Sequence, residues 1–187
     1  MRARAVIGAL ALTVAFAGSS VAQEKQEKTV MVGGAAMYPS KDIIDNALNS
    51  KDHTTLVAAV KAAGLVDTLK GKGPFTVFAP TNAAFAKLPA GTVDMLLQAD
   101  HKKMLTSILT YHVVAGRHDS AELMQKARMM NGKVELKTVQ GQALWVILKD
   151  GALSLQDAKG QTAAISTADV YQSNGVIHVV DTVVMPS

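Results

Sequence analysis

The spacing of apolar positions changes near the middle of the chain, so the two halves predict different secondary structure. Before Tyr111, apolar residues recur every three or four positions, as on helices with one buried face. Helical segments are expected from Ser40 to about Leu48, from Asp52 or Thr54 to Gly64, around 83–87, and at 93–97 and 104–109. One apolar run, Phe75–Ala79, stands between turn-forming residues and predicts the first buried strand.

From Tyr111 onward, alternation with a period of two predominates, which is typical of half-buried strands. Strands are expected at 111–114, 134–138, 143–148, 152–155, 169–172 and 176–180. Asp150-Gly151 and Asn174-Gly175 separate two pairs of these segments, and both dipeptides favour two-residue hairpin turns. Asp119-Ser120-Ala121-Glu122 predicts the start of one short helix in this half. Helices followed by a run of strands predict a single α+β domain.

The N-terminus has the order of a secretory signal peptide. Arg2 and Arg4 precede an apolar run that ends in small residues up to Ala22. We predict a signal peptide at 1–22, an N-terminal arm at 23–37 and one domain at 38–187. The apolar run is shorter than the roughly 20 residues needed to span a bilayer, and no later segment qualifies. An exported chain without an integral membrane span is therefore expected.

Charge and cysteine usage narrow the possible functions. Removing the signal peptide takes two of the 19 basic residues, leaving 17 against 15 acidic ones. The lysines are scattered and form no basic stripe with interleaved aromatic residues, so we predict no nucleic-acid partner. The chain contains no cysteine, which excludes disulfides and thiolate chemistry. Stability must come from the burial of apolar side chains.

Three segments resemble the characteristic motifs of the fasciclin (FAS1) domain family. They are Thr76-Val77-Phe78-Ala79-Pro80-Thr81-Asn82-Ala83-Ala84-Phe85, the pair Tyr111-His112, and the strand from Asn174 through Pro186. The resemblance runs from about Tyr38 to Pro186. It implies a compact wedge of two antiparallel sheets with a mainly N-terminal helical layer. The family often has Asp where this chain has Asn82, which keeps an acceptor oxygen but loses a charge.

The resemblance also implies adhesion or matrix association through a protein surface, and it implies no catalytic residues. Six residues form the candidate binding or structural motif: Thr81, Asn82, Tyr111, His112, His178 and Asp181. On a strand, Tyr111 and His112 would point to opposite faces, so at most one is expected in the core. A buried ring would anchor packing and bond to the backbone through its polar atom; an exposed ring would contact a partner.

The residue pattern does not favour a metal site or a catalytic triad. His178 lies in an apolar strand, and it can approach His112 only if their two strands are neighbours. Neither histidine has a second His or a carboxylate at helical spacing, whereas zinc takes three or four protein ligands. The chain also lacks the Gly-x-Ser-x-Gly segment that positions a serine nucleophile. We expect no cofactor and no enzymatic activity.

Two functions remain open from the sequence, with a metal-dependent hydrolase ranked third. The first is an exported, non-enzymatic interaction module that binds a protein or polysaccharide at the cell envelope or in a matrix. The alternative is a carrier of an apolar small molecule, such as a lipid or a pigment, in a cleft between helices and sheet. A carrier should contain an apolar cavity of roughly a few hundred Å³, whereas an adhesion module should have a filled core and an exposed apolar patch. The residues indicate neither a particular partner nor an oligomeric state.

Overall fold

The computed structural model describes residues 28–187. The predicted signal peptide and the first residues of the predicted arm lie outside the described residues. The helices are α1 Ile43–Ala47, α2 Thr54–Ala63, α3 Val66–Lys70, α4 Asn82–Ala86, α5 Thr92–Leu96, α6 Lys102–Tyr111 and α7 Ser120–Met129. The strands are β1 Val30–Val32, β2 Ala35–Met37, β3 Phe75–Pro80, β4 Val113–Ala115, β5 Lys133–Lys137, β6 Ala143–Lys149, β7 Ala152–Gln156, β8 Thr162–Gln172 and β9 Gly175–Val180.

Seven of these strands form one sheet in the order β4-β3-β9-β8-β7-β6-β5. The long strand β8 divides the sheet into two halves, because its start pairs with β7 and the part from Ile165 onward pairs with β9. A single bridge between Val114 and Thr138 brings β4 beside β5, so the sheet nearly closes on itself. The α+β class expected from the sequence is confirmed, with the two halves of the sheet meeting along β8.

One pair in this sheet, β3 with β9, is parallel, whereas antiparallel pairing was expected throughout. The two strands are far apart along the chain, so no hairpin dictates their relative direction. Their backbones approach closely where both strands begin. A Cβ on Gly175 would lie 2.1 Å from the Phe75 carbonyl oxygen, and one on Gly73 would lie 2.2 Å from that of Asn174. Glycine at these two positions permits the approach.

Two hydrophobic clusters hold the layers together. The first lies between the helices and one face of the β3–β9 region, with Leu56, Leu109 and Ile177 among its buried members. The second lies inside the curved sheet, where Leu123 of α7 packs against Leu144 of β6. Residues 30–37 of the predicted arm form the β1–β2 hairpin, whose Val32 and Met37 are buried in the first cluster.

Several element boundaries differ from those expected. The first helix begins after Asp42, whose carboxylate accepts a hydrogen bond from the Asp45 amide, rather than after Ser40. The second begins at Thr54, but His53, rather than Asp52 or Thr54, occupies the cap position before it. The last hairpin turns at Ser173-Asn174, one residue before the predicted turn, because Gln172 pairs with Gly175. Gly64 ends α2 in a left-handed conformation, as expected.

Candidate functional site

Tyr111 and His112 lie at the end of a helix, so the prediction that they alternate on a strand is wrong. Tyr111 is the last residue of α6, and His112 caps the helix before β4 begins. Consecutive side chains on a helix diverge by about 100° rather than 180°, so both can face the interior. Both rings are buried, whereas at most one was expected in the core.

Each polar atom of these two rings has a main-chain partner. The Tyr111 hydroxyl donates to the Ala143 carbonyl at 2.7 Å and accepts from the Ala158 amide at 3.3 Å. Burial raises the pKa of Tyr111. The Val184 amide donates to Nε2 of His112 at 3.2 Å, so Nδ1 carries the proton and donates to the Ile108 carbonyl at 2.9 Å. Tyr111 therefore joins the end of α6 to β6 and to the turn after β7, and His112 joins it to Val184 near the C-terminus.

His178 is buried on β9 and is separated from His112 by a strand. Its strand neighbour is β3, and its ring stacks on Phe78 with ring centroids 5.6 Å apart. His112 precedes β4, on the other side of β3, so the condition for their approach is not met. The Asp169 amide donates to Nδ1 of His178 at 3.3 Å, which leaves Nε2 to donate to the His118 carbonyl at 2.8 Å.

Thr81 and Asn82 connect the starts of two helices. The Thr81 hydroxyl caps α4 by accepting from the Ala84 amide at 3.2 Å. Asn82 Oδ1 accepts from the Thr55 amide in the first turn of α2 at 3.0 Å, and its Nδ2 donates to the Lys51 carbonyl at 2.8 Å. An aspartate could make the first bond but could not donate the second. The amide therefore suits this position in this chain.

Replacing Asn82 tests that connection. We expect Asn82→Ala to lower the free energy of unfolding by about 1–2 kcal/mol, because the α2 amide loses its cap. Asn82→Asp should cost less than Asn82→Ala, since it keeps the acceptor and places a negative charge at the helix N-terminus. Urea unfolding followed by circular dichroism measures both variants. If Asn82→Asp were the more damaging, the lost bond to Lys51 would outweigh the retained cap.

Asp181 lies at the surface next to the end of β9. Its Oδ1 accepts from the Ala164 amide at 2.8 Å, and its Oδ2 lies 3.1 Å from Lys87 Nζ. Burial alone would raise the pKa of Asp181, but the hydrogen bonds from Lys87 and Ala164 outweigh it and lower the pKa. Both partners of this ion pair are about half exposed, so its contribution to stability is small.

Two buried polar residues outside the six candidates, Asp157 and Asn174, connect distant segments. Asp157 accepts from the Lys159 and Gln161 amides, which closes its own turn, and its other oxygen accepts from the Met185 amide at 3.0 Å. Asn174 binds main-chain groups of α1 and of the end of α3. The Asp-x-x-Gly pattern at 157–160 is a turn signal, but the contact with Met185 leaves no local trace in the sequence.

The six candidate residues thus form no common chemical centre. Tyr111, His112 and His178 bond to main-chain groups. Thr81 and Asn82 cap the N-termini of α4 and α2, and Asp181 bonds to the Ala164 amide of β8. In residues 28–187, no group of three or more His, Asp or Glu side chains could hold a metal ion. At these six positions, the polar atoms make hydrogen bonds that stabilise the fold.

An apolar cavity of about 40 Å³ lies between the helical layer and the sheet. Its walls include Leu56 and Val60 of α2 and Ile177 of β9. A drug-sized ligand occupies a site of roughly 300–1,000 Å³. The cavity is therefore far smaller than the one expected of a lipid or pigment carrier.

The buried histidines predict a loss of stability in acid. Burial lowers the pKa of His112 from 6.5 to about 4, and it also lowers the pKa of His53 and of His178. Below pH 6.5 the unfolded chain binds a proton at His112 that the folded chain does not accept until near pH 4. The contribution of neutral His112 to the free energy of unfolding is therefore fully present above pH 6.5. It is lost as the pH falls towards 4, by about 3 kcal/mol for His112 alone.

Urea midpoints measured between pH 7.5 and pH 4.5 check this expectation. The variant His112→Phe keeps an aromatic ring and removes the titrating group, so its midpoint should depend less steeply on pH. Equal slopes for the two proteins would show that His112 does not contribute to the acid sensitivity.

Residues 51–186 match the fasciclin domain family. The chain is 45% identical over 163 residues to Protein sll1483 of Synechocystis sp., covering 87% of this chain and 83% of that protein. It is 36% identical over 174 residues to the cell surface glycolipoprotein MPB83 of Mycobacterium bovis, covering 90% of this chain and 71% of that protein.

The fold also matches a solved structure of a FAS1 domain pair from the insect cell adhesion molecule fasciclin I. The TM-score is 0.68 at 21% sequence identity, over 78% of this chain. The chain spans about half of that structure, 51%, in keeping with a pair of domains there. None of the helices within residues 28–187 is long and apolar enough to cross a membrane.

Proposed function

Since the chain belongs to the fasciclin domain family, we propose that it is an exported, non-enzymatic interaction module. It binds a protein or a polysaccharide at the cell envelope or in a surrounding matrix. The proposal rests on the family, on the predicted signal peptide and on one structural observation.

That observation is the internal use of the Tyr111-His112 pair. Both rings are buried, and their polar atoms bond to Ala143, Ala158, Ile108 and Val184. Side chains engaged in this way hold helix α6, the sheet and the C-terminal segment in one arrangement. Binding then falls to side chains on the outside of this scaffold.

Relatives support an envelope location. MPB83 is named a cell surface glycolipoprotein, and the matching domain pair comes from a cell adhesion molecule. The carrier alternative has weaker support, because the apolar cavity of about 40 Å³ is far smaller than the roughly 300–1,000 Å³ of a drug-sized ligand site. We therefore propose the interaction module alone.

A capture experiment tests the proposal. The exported protein is immobilised and exposed to solubilised envelope proteins and to a panel of purified polysaccharides. Saturable capture by the folded protein, lost after heat denaturation, is the expected result. Capture of nothing, together with a lipidic or coloured ligand extracted from freshly purified protein, would contradict the proposal and favour a carrier.

The variant Tyr111→Phe distinguishes a structural role of Tyr111 from a direct contact with the partner. It keeps the ring and loses the hydroxyl that donates to Ala143, so we expect a stability loss of about 1–2 kcal/mol with capture unchanged below the melting temperature. If capture disappeared while the circular dichroism spectrum and melting curve stayed the same, Tyr111 would be a direct contact.

A further inference from the structure

The outer face of strands β5, β6 and β7 carries the single tryptophan of the chain. Glu135 pairs with Trp145, Trp145 with Gln156, and Gln156 with Thr162, so these four side chains form one straight row across β5 to β8. We call them the Trp145 row. Neighbouring strands are about 4.8 Å apart, so the row is about 14 Å long. It places a carboxylate, an indole, an amide and a hydroxyl side by side.

Two lysines lie beside this row, one at each end of β5. Lys133 Nζ lies 4.7 Å from the centre of the Trp145 ring and donates to Gln156 Oε1 at 2.9 Å. Lys137 lies on the same outward face of β5, beyond Glu135, because inward and outward residues alternate along the strand. Lys149 lies at the far end of β6, four residues from Trp145, and Asp150 follows it. Lys133 and Lys137 therefore flank Glu135 on β5, and these three side chains carry net positive charge.

This composition fits a sugar better than a protein surface. The centre of a protein interface is rich in apolar side chains and poor in charges. Here the indole has apolar neighbours along its own strand, Ala143 and Ile147, but polar or charged side chains on both adjacent strands. A partner strand could not add to β6 or β7, since both are already paired on each side. A pyranose ring presents a flat C–H face, which can stack on an indole, and hydroxyls at its edge, which can bond to carboxylate, amide and ammonium groups.

We propose that the Trp145 row and the adjacent lysines bind an acidic polysaccharide. A sugar ring stacks on Trp145, its hydroxyls bond to Glu135 and Gln156, and carboxylates of the polymer pair with Lys133 and Lys137. This inference rests on the proposed interaction function and specifies its partner. Lys133 moves off the indole when the sugar binds. Its solvent-exposed bond to Gln156 and its cation–π contact with Trp145 oppose that movement, and the stacked sugar ring and the new ion pair replace them.

The single tryptophan makes the test direct, because intrinsic indole fluorescence reports on this face alone. Polygalacturonate serves as the acidic probe and dextran as the neutral one. We expect polygalacturonate to change the Trp145 emission saturably, with an affinity that decreases as salt is raised. Dextran should bind at least tenfold more weakly.

Variants measured by isothermal titration calorimetry identify the residues. Trp145→Ala is expected to weaken polygalacturonate binding at least tenfold, and Lys133→Ala or Lys137→Ala several-fold. Lys103→Ala, which removes the same charge from the exposed side of α6, is the matched control and should leave binding unchanged. Trp145→Phe retains an aromatic face and should recover part of the affinity. Circular dichroism establishes that each variant is folded, and the lysine variants test the face even if Trp145→Ala does not fold.

The inference is overturned if polygalacturonate does not bind, or if binding stays within twofold of the original in Trp145→Ala and in both lysine variants. Equal binding of dextran and polygalacturonate would also overturn the acidic preference. Should the capture experiment still retain an envelope component that Trp145→Ala binds normally, the interaction function stands and only this face is excluded. Failure of capture as well would remove both proposals.

Discussion

Replacing His112 with alanine is expected to lower the free energy of unfolding by about 4 kcal/mol. Removing a fully buried ring leaves a cavity, and comparable truncations of buried aromatic side chains cost about 3–5 kcal/mol. The same change leaves the Val184 amide and the Ile108 carbonyl without their ring partners. Each buried group that stays without a partner costs about 1–3 kcal/mol. The expected total of about 4 kcal/mol is below the sum of these costs, because we assume that the site partly relaxes around the smaller side chain.

Urea unfolding at pH 7.5, followed by circular dichroism, measures this effect. His101→Ala is the matched control, since His101 lies in the 3₁₀ turn before α6 and is only partly buried; we expect less than about 1 kcal/mol there. If His112→Ala unfolded like the original protein yet lost capture of its partner, the structural role of this ring would be wrong. The residue would then contact the partner directly.

Replacing Asn174 with alanine should destabilise the protein to a similar extent, by about 4 kcal/mol. The side-chain amide donates to the Leu69 carbonyl at 2.7 Å and to the Gly71 carbonyl at 3.0 Å, and its oxygen accepts from the Ile43 amide at 3.1 Å. Three main-chain groups from two other segments lose their partner in the variant, at about 1–3 kcal/mol for each group that stays dry. Water that enters the site bonds to some of these groups, so the total cost is smaller than the sum of the three separate costs.

Asn49→Ala provides the control for Asn174. Asn49 is exposed and donates one hydrogen bond, to the Asp45 carbonyl within its own helical region, so its loss should change stability by less than about 1 kcal/mol. Hydrogen exchange locates the effect. On going from the original protein to Asn174→Ala, the exchange rates of the α1 amides should increase more than those of the β6 amides. Unchanged exchange in α1 would show that Asn174 does not anchor that helix.

Elements with a local cause were predictable. Gly64 ends α2 because glycine tolerates the left-handed conformation there, and Asp119 begins α7 through a bond to the Glu122 amide. Asp150-Gly151 forms the predicted β6–β7 turn, with positive φ at both residues. Each of these signals acts within a few residues, so a single sequence is enough to reveal it.

Elements that depend on distant partners were not predictable in the same way. The segment at 111–114 reads as a strand, but Tyr111 ends helix α6, and its hydroxyl bonds to Ala143 and Ala158, both remote along the chain. The first part of β8, from Thr162, was not expected, because it alternates weakly and is stabilised by pairing with β7. The parallel pairing of β3 with β9 depends on the long connection between them.

By itself, the sequence determined the α+β class, the local caps and turns, the absence of cysteine chemistry and the residues of the fasciclin motifs. Tertiary structure alone decided how those residues are used. Tyr111 and His112 lie inside because helix α6 extends to them, and Asn174 joins α1 to the end of α3 because two strands remote in the chain lie side by side. Hydrogen bonds between remote main-chain groups have no periodicity along the chain, so only the folded arrangement shows them.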